Sequence, residues 1–146
     1  MDVVILFDGL IEPANPGGCG AWGYALWLGT KQRIEEFGSL GNPPWMTNNY
    51  IEYCALGFAL KKMIELQLPE IKSLTILGDS QLVINHLNDV WQTKSESLLP
   101  LKNKCIEYLD SLKVDWIARW IPRDINQLAD ELSRKGYAEW KSKTNK

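Results

Sequence analysis

Four carboxylates in this chain stand where a purely structural acid would be awkward. Asp8 closes the apolar run Val3-Val4-Ile5-Leu6-Phe7. Asp79 directly follows Leu74-Thr75-Ile76-Leu77-Gly78, at the carboxyl end of an expected strand and the mouth of a helix, where open α/β sheets bind ligands. Glu52 has Ala55, Leu56 and Ala59 at its i+3, i+4 and i+7 positions, so it points along an apolar stripe, and Asp130 sits among Leu128, Ala129 and Leu132. Burying unpaired carboxylates costs several kcal/mol each after relaxation, and a divalent cation removes that cost. Two such cations ~3.5–4 Å apart can clamp a phosphodiester, generate the attacking hydroxide and stabilise the leaving oxygen without a histidine.

The rest of the composition narrows the chemistry in the same direction. His86 is the single histidine, which removes most metalloprotease, Ser-His-Asp and histidine-ligated zinc chemistries. Cys19, Cys54 and Cys105 are scattered, without a C-x-x-C pair, and read as reduced thiols in a cytoplasmic protein. Oxygen-ligated Mg²⁺ or Mn²⁺ is the leading remaining option. The formal net charge of −2 argues mildly against a nucleic-acid partner, but setting aside four acids committed to a metal leaves +2 for the remaining surface.

Each acid also has a plainer reading. A single Asp after a strand commonly serves a turn or a helix cap. Asp124-Ile125-Asn126-Gln127 fits a capping box, so Asp124 is expected to cap the last helix. Asp110, Asp115, Glu107 and Glu131 read as solvated, and His86, with Leu82, Val83 and Leu87 at helical spacing, reads as a packing residue.

The elements that must position these groups can be read from periodicity. Val3–Phe7 is a short apolar run of the buried-strand kind, Asn15-Pro16-Gly17-Gly18 is turn chemistry, and Ala21–Leu28 and Gln32–Leu40 read as the second and third strands of an antiparallel meander. Helical spacing then runs from Asn48 to Leu66, with Thr47 or Asn48 as cap and Pro69 beyond the end. A strand at Leu74–Leu77, a helix from Leu82, a helix over Leu98–Leu112, a strand over Val114–Ile121 and a helix over Asn126–Trp140 complete the order β-β-β-α-β-α-α-β-α. Helical connections between the first, fourth and fifth strands imply parallel pairing through right-handed crossovers. The expectation is an α/β mixed sheet with helices on both faces, in one domain over 1–140 with a frayed polar tail at 141–146. No apolar run approaches the ~20 residues of a membrane span, and the first eight residues read as neither a signal nor a transit peptide.

Four sequence words, in order and covering nearly the whole chain, resemble the type 1 ribonuclease H family. Asp8-Gly9, Asn15-Pro16-Gly17-Gly18, Gly20 and Gly23 are similar to its D-G…N-P-G-x-x-G opening, and Thr47-Asn48-Asn49-Tyr50-Ile51-Glu52-Tyr53-x-Ala55-Leu56 to its T-N-N-x-x-E-x-x-A-L helix. Gly78-Asp79-Ser80-Gln81-Leu82-Val83 is similar to its x-D-S-Q-x-V segment, and Pro122-Arg123-x-x-Asn126-x-x-Ala129-Asp130-x-Leu132-Ser133 to its closing P-R-x-x-N-x-x-A-D-x-L-[AS]. The resemblance implies the ribonuclease H-like fold, with five strands in the order 3-2-1-4-5. It implies Asp8, Glu52, Asp79 and Asp130 as catalytic ligands of two Mg²⁺ or Mn²⁺ ions, cutting the RNA strand of an RNA/DNA hybrid to 5′-phosphate and 3′-hydroxyl ends. It places Gly9, Asn15, Asn48, Asn49 and Gln81 at the substrate, with amides suited to 2′-hydroxyls in the wide minor groove, and Arg123 as a phosphate contact. A monomer without an obligate protein partner is expected.

Two departures set the chain apart from the common bacterial form. The long basic insertion after the Asp-Ser-Gln helix is replaced by the short, nearly neutral Asn88–Lys94, where Trp91 is either a stacking or a half-buried packing residue. The loop histidine before the last aspartate is replaced by the short Pro122-Arg123-Asp124 turn of the archaeal-type branch. Two rival functions remain open at this level, a DNA-cleaving enzyme on the same fold and a non-catalytic nucleic-acid-binding module. The asparagine and glutamine set argues against the first, and retention of all four carboxylates against the second.

Overall fold

A computed structural model describes residues 1–144. Its elements are β1 (Asp2–Glu12), β2 (Cys19–Leu28), β3 (Gln32–Ser39), α1 (Asn48–Glu65), β4 (Ser73–Gly78), α2 (Gln81–Leu87), α3 (Leu99–Leu112), β5 (Trp116–Trp120) and α4 (Gln127–Thr144). The five strands form one sheet in the order β3-β2-β1-β4-β5. β1–β2 and β2–β3 pair antiparallel, and β1–β4 and β4–β5 pair parallel.

Alternation along β1 sends Val3, Ile5 and Phe7 into the main core with Leu56, Leu60, Leu74 and Ile76. α1 covers that face, with α3 packed against it, and α4 lies across β2, β3 and β1 on the other. Burying each such apolar side chain contributes roughly 1.5–3 kcal/mol, which fixes the register of β1 against both neighbours.

That register creates the site. The parallel pairing of β1 with β4 ends at Phe7↔Gly78, so Asp8 and Asp79 are the next residue on each of two adjacent strands. β1 continues past its apolar run to Glu12, because β2 still pairs with it from Asp8↔Gly23 to Glu12↔Cys19. Asp8 therefore lies inside a strand, with β2 on one side and an opening where β4 turns away into α2.

The helix ends follow local chemistry. Thr47 caps α1 by accepting from the Tyr50 amide at 3.2 Å, and Ser80 caps α2 by accepting from Val83 at 3.2 Å. α1 closes before Pro69 is reached, through Leu66 and the left-handed Gln67 (φ 48). The fifth strand is shorter than expected, since Lys113 takes a left-handed conformation (φ 52) that turns the chain out of α3. α4 is longer than expected and runs through 141–144. Lys141 and Lys143 sit in its last turn, where they suit the helix dipole, and Thr144 Oγ1 donates to the Trp140 carbonyl at 3.0 Å. Of the tail expected at 141–146, residues 141–144 are helical, and residues 145–146 lie outside the described residues. No described helix is long and apolar enough to cross a membrane.

Candidate metal centre

Asp8, Glu52 and Asp79 converge although β1, α1 and β4–α2 supply them from distant parts of the chain. One carboxylate oxygen from each lies within 4.8 Å of the others. Gly9 makes the approach possible. It faces α1, and a Cβ there would stand 2.6 Å from the Glu52 backbone nitrogen. Gly23 plays the matching part on the other face, where a Cβ would stand 2.5 Å from Leu132 Cβ, so α4 can settle onto β2 beside Asp8.

Three neutral groups hold the acids in place. Asn126, fully buried just before α4, donates from Nδ2 to the Phe7 carbonyl at 2.9 Å and stands 3.3 Å from Asp79 Oδ2. Ser133, about two turns further along α4, donates to the Asp130 carbonyl at 2.8 Å and lies 3.2 Å from Asp8 Oδ2. The Trp120 indole donates to the Asp79 carbonyl at 3.1 Å, steadying the turn that projects the carboxylate.

Electrostatically the trio is unstable by itself. Burial, followed by the charge on Asp79, pushes Asp8 up to about 7. Glu52 is raised well above the usual carboxylate range by burial first and then by Asp8 and Asp79, with the Gly9 backbone amide working against the shift. Asp79 is raised too, chiefly by burial, while its bond from Asn126 opposes the rise. The buried Glu52 Oε2 has no hydrogen-bond partner. An all-oxygen donor set with an orphaned buried oxygen fits a hard divalent cation such as Mg²⁺ or Mn²⁺.

Asp130 stands apart from the trio. It lies in the first turn of α4, its Oδ2 meets Arg134 Nε at 3.1 Å, and its Oδ1 faces Arg123 Nη2 at 3.8 Å. Its negative charge still raises Asp8 and Asp79.

The residues assigned to substrate are distributed unevenly. Asn15, Asn48 and Arg123 line, with the trio, an open cleft of about 320 Å³. Asn15 Oδ1 accepts from the Asn48 amide at 3.4 Å, which joins the first turn to the α1 N-terminus. Asn49 is half-buried on α1, and Gln81 is exposed at the start of α2. Gly9 is buried beneath α1, where it serves close approach rather than an exposed contact surface.

His86 packs as expected, with Nδ1 2.7 Å from the Tyr53 hydroxyl. Trp91 is 45% exposed. Asp124 does not cap α4: it lies in an exposed turn over residues 123–125, and Asn126 occupies the position before the helix, its carbonyl accepting from Asp130 N at 3.1 Å. The capping-box spacing fails because that turn is closed by backbone bonds, Ile125 N to Pro122 O and Asn126 N to Arg123 O. The supporting roles of Asn126, Ser133, Trp120 and Arg134 did not emerge from the sequence. Asn126 and Ser133 belong to the closing motif, and Arg134 is at i+4 from Asp130, but nothing local marks Trp120.

Comparison with known proteins agrees with this architecture. A family model described as "Reverse transcriptase-like" matches residues 37–136. The chain is 33% identical to the uncharacterized protein YpeP of Bacillus subtilis over 135 residues, 92% of this chain and 58% of that protein. It is 33% identical to ribonuclease HI of Halobacterium salinarum, over 88% of this chain and 61% of that protein. With ribonuclease H of Polynucleobacter asymbioticus it shares 31% identity over 94% of this chain and 91% of that protein. The chain thus spans about three fifths of the length of the first two relatives. Among solved structures, RNase H1 of Halobacterium salinarum superposes with a TM-score of 0.82 at 30% identity, covering 95% of this chain and 99% of that one. An N-terminal RNase H domain from Mycobacterium tuberculosis gives 0.84 at 26% identity, covering 98% of each.

The sheet order, with one acid inside β1 and another just past the end of β4, defines an α/β protein of the ribonuclease H-like class. Within that class, the chain belongs to the type 1 ribonuclease H family.

Proposed function

We propose that this chain is an endoribonuclease that hydrolyses the RNA strand of RNA/DNA hybrids by two-metal-ion catalysis, leaving 5′-phosphate and 3′-hydroxyl ends. The observation that carries the reading is the convergence of Asp8, Glu52 and Asp79 within 4.8 Å, with Glu52 Oε2 buried and unpartnered. Relatives named ribonuclease H support the substrate class.

In this reading Asp8, Glu52 and Asp79 would hold one Mg²⁺ or Mn²⁺ ion, and Asp130, with Asp8, would hold a second more loosely. Bound there, the ions supply a low-pKa water as nucleophile and charge stabilisation for the leaving oxygen. The protein's part is orientation. Asn126 aims Asp79, Ser133 supports Asp8, and Gly9 lets Glu52 reach the strand. Asn15, Asn48, Asn49 and Gln81 offer amides that both donate and accept, which matches 2′-hydroxyls in the shallow minor groove. Arg123, exposed at the cleft, contacts phosphate. The same reading takes the chain as a cytoplasmic monomer.

The deciding assay presents labelled RNA/DNA hybrid, RNA duplex and DNA duplex, each with Mg²⁺ and then Mn²⁺. Cleavage of the hybrid's RNA strand, with 5′-phosphate products, is the expected result. Product from the DNA duplex would point to a DNA-cleaving enzyme, and hybrid binding without product to a non-catalytic module.

A further inference from the structure

Asp130 and the trio differ in what neutralises them. Among the described residues, no Lys or Arg comes within 4.0 Å of Asp8, Glu52 or Asp79, whereas both oxygens of Asp130 face guanidinium groups. The two arginines are not equivalent. Arg123 is 70% exposed, stands 3.8 Å away and lines the cleft, so it keeps the freedom to meet a phosphate. Arg134 is closer, at 3.1 Å, and sits one helical turn after Asp130 in the favourable order, with the acid nearer the N-terminus. It does not line the cleft, and Asp130 is its only ion-pair partner among the described residues.

We propose that Arg134 is a positioning residue that holds the Asp130 carboxylate back from the trio until a second cation competes for it, and so widens the gap in affinity between the two cation sites. This rests on the metal-centre reading above. An arginine fork and a hard cation cannot use the same carboxylate oxygen at full strength, so the second ion must displace the pair. With Arg134 51% and Asp130 22% exposed, the pair restrains the carboxylate without locking it. The cost therefore falls on the weaker site alone, and it is modest.

The test is a Mn²⁺ binding isotherm, followed by electron paramagnetic resonance, on the intact chain without nucleic acid. Arg134→Gln is expected to tighten the weaker class of sites about two- to fivefold, the scale of a half-exposed ion pair, with the stronger class unchanged. Lys135→Gln, which removes the same charge from an exposed neighbour on α4, should change neither class. Asp130→Asn should abolish the weaker class, and adding Arg134→Gln to it should have no further effect. Four outcomes overturn the proposal: an unchanged weaker class in Arg134→Gln, an equal gain in Lys135→Gln, a gain that persists with Asp130→Asn, or a single class in both wild type and Arg134→Gln. Folding of each variant is checked by circular dichroism. Failure of folded wild-type protein to bind Mn²⁺ at all would instead remove the metal-centre reading, and Arg134's role with it.

Discussion

Asn126 divides its amide between Phe7 and Asp79: Nδ2 donates to the Phe7 carbonyl at 2.9 Å and stands 3.3 Å from Asp79 Oδ2. One side chain therefore ties the start of α4 to the β1 residue at which pairing with β4 ends and to the acid that follows β4. Asn126→Ala is expected to destabilise the fold by roughly 1–3 kcal/mol, because the Phe7 carbonyl stays buried without its donor. Freed from its orienting partner, Asp79 should bind metal ~10–100-fold more weakly. Urea unfolding and Mn²⁺ binding measure the two effects separately.

The shifted acids predict a pH dependence with a definite sign. Asp8 is raised from 3.8 to about 7, and Glu52 rises in the same direction. Between those values the folded state holds more protons than the unfolded state, so the cluster's contribution to stability falls as pH rises. Metal-free protein should therefore lose stability between about pH 4 and pH 7, and Mg²⁺ should raise Tm more near pH 8 than near pH 5. Glu52→Gln removes one of the mutually repelling charges. Without metal near pH 8 it should gain about 1 kcal/mol or more, roughly 2–4 °C in Tm for a domain of this size, and lose most of the Mg²⁺ response. Thermal scans with chelator and with Mg²⁺, at both pH values, check the sign.

Gly9→Ala tests the close approach beneath α1. The new Cβ would meet backbone at 2.6 Å from the Glu52 nitrogen, and backbone cannot rotate away as a flexible side chain can. A loss of ~1–3 kcal/mol is expected from overpacking, and weaker Mn²⁺ binding should accompany it, since α1 must shift with Glu52. Full stability in this variant would contradict the packing.

Much of this was legible in the sequence because the signals are local. The run Val3–Phe7 marks a buried strand, and Asp8 and Asp79 each follow such a run, so their place beside adjacent buried strands could be read before any fold was known. The extension of β1 to Glu12 could not, because it depends on pairing with β2 rather than on an apolar pattern. The reading of Asp124 as a cap failed for the converse reason: a valid local spacing was overridden by a backbone-closed turn that leaves Asn126 at the helix start. The support that Trp120 gives to Asp79 links residues 41 apart and required the parallel register of β4 with β5. Asp130 was visible as an acid among apolar residues, but its separation from the trio depends on where Arg123 and Arg134 reach.

Asp79→Asn tests most directly whether two buried carboxylates, Asp8 and Glu52, and the half-buried Asp79 form a hydrolytic metal centre. The change removes one charge, nearly preserves shape and leaves an oxygen for Asn126 to bond. Cleavage of labelled RNA/DNA hybrid in Mg²⁺ should fall by at least a hundred- to a thousandfold, the scale of ~3–4 kcal/mol of lost charge stabilisation, while the affinity for hybrid persists. Turnover close to wild type in a folded, hybrid-binding Asp79→Asn protein would contradict the account.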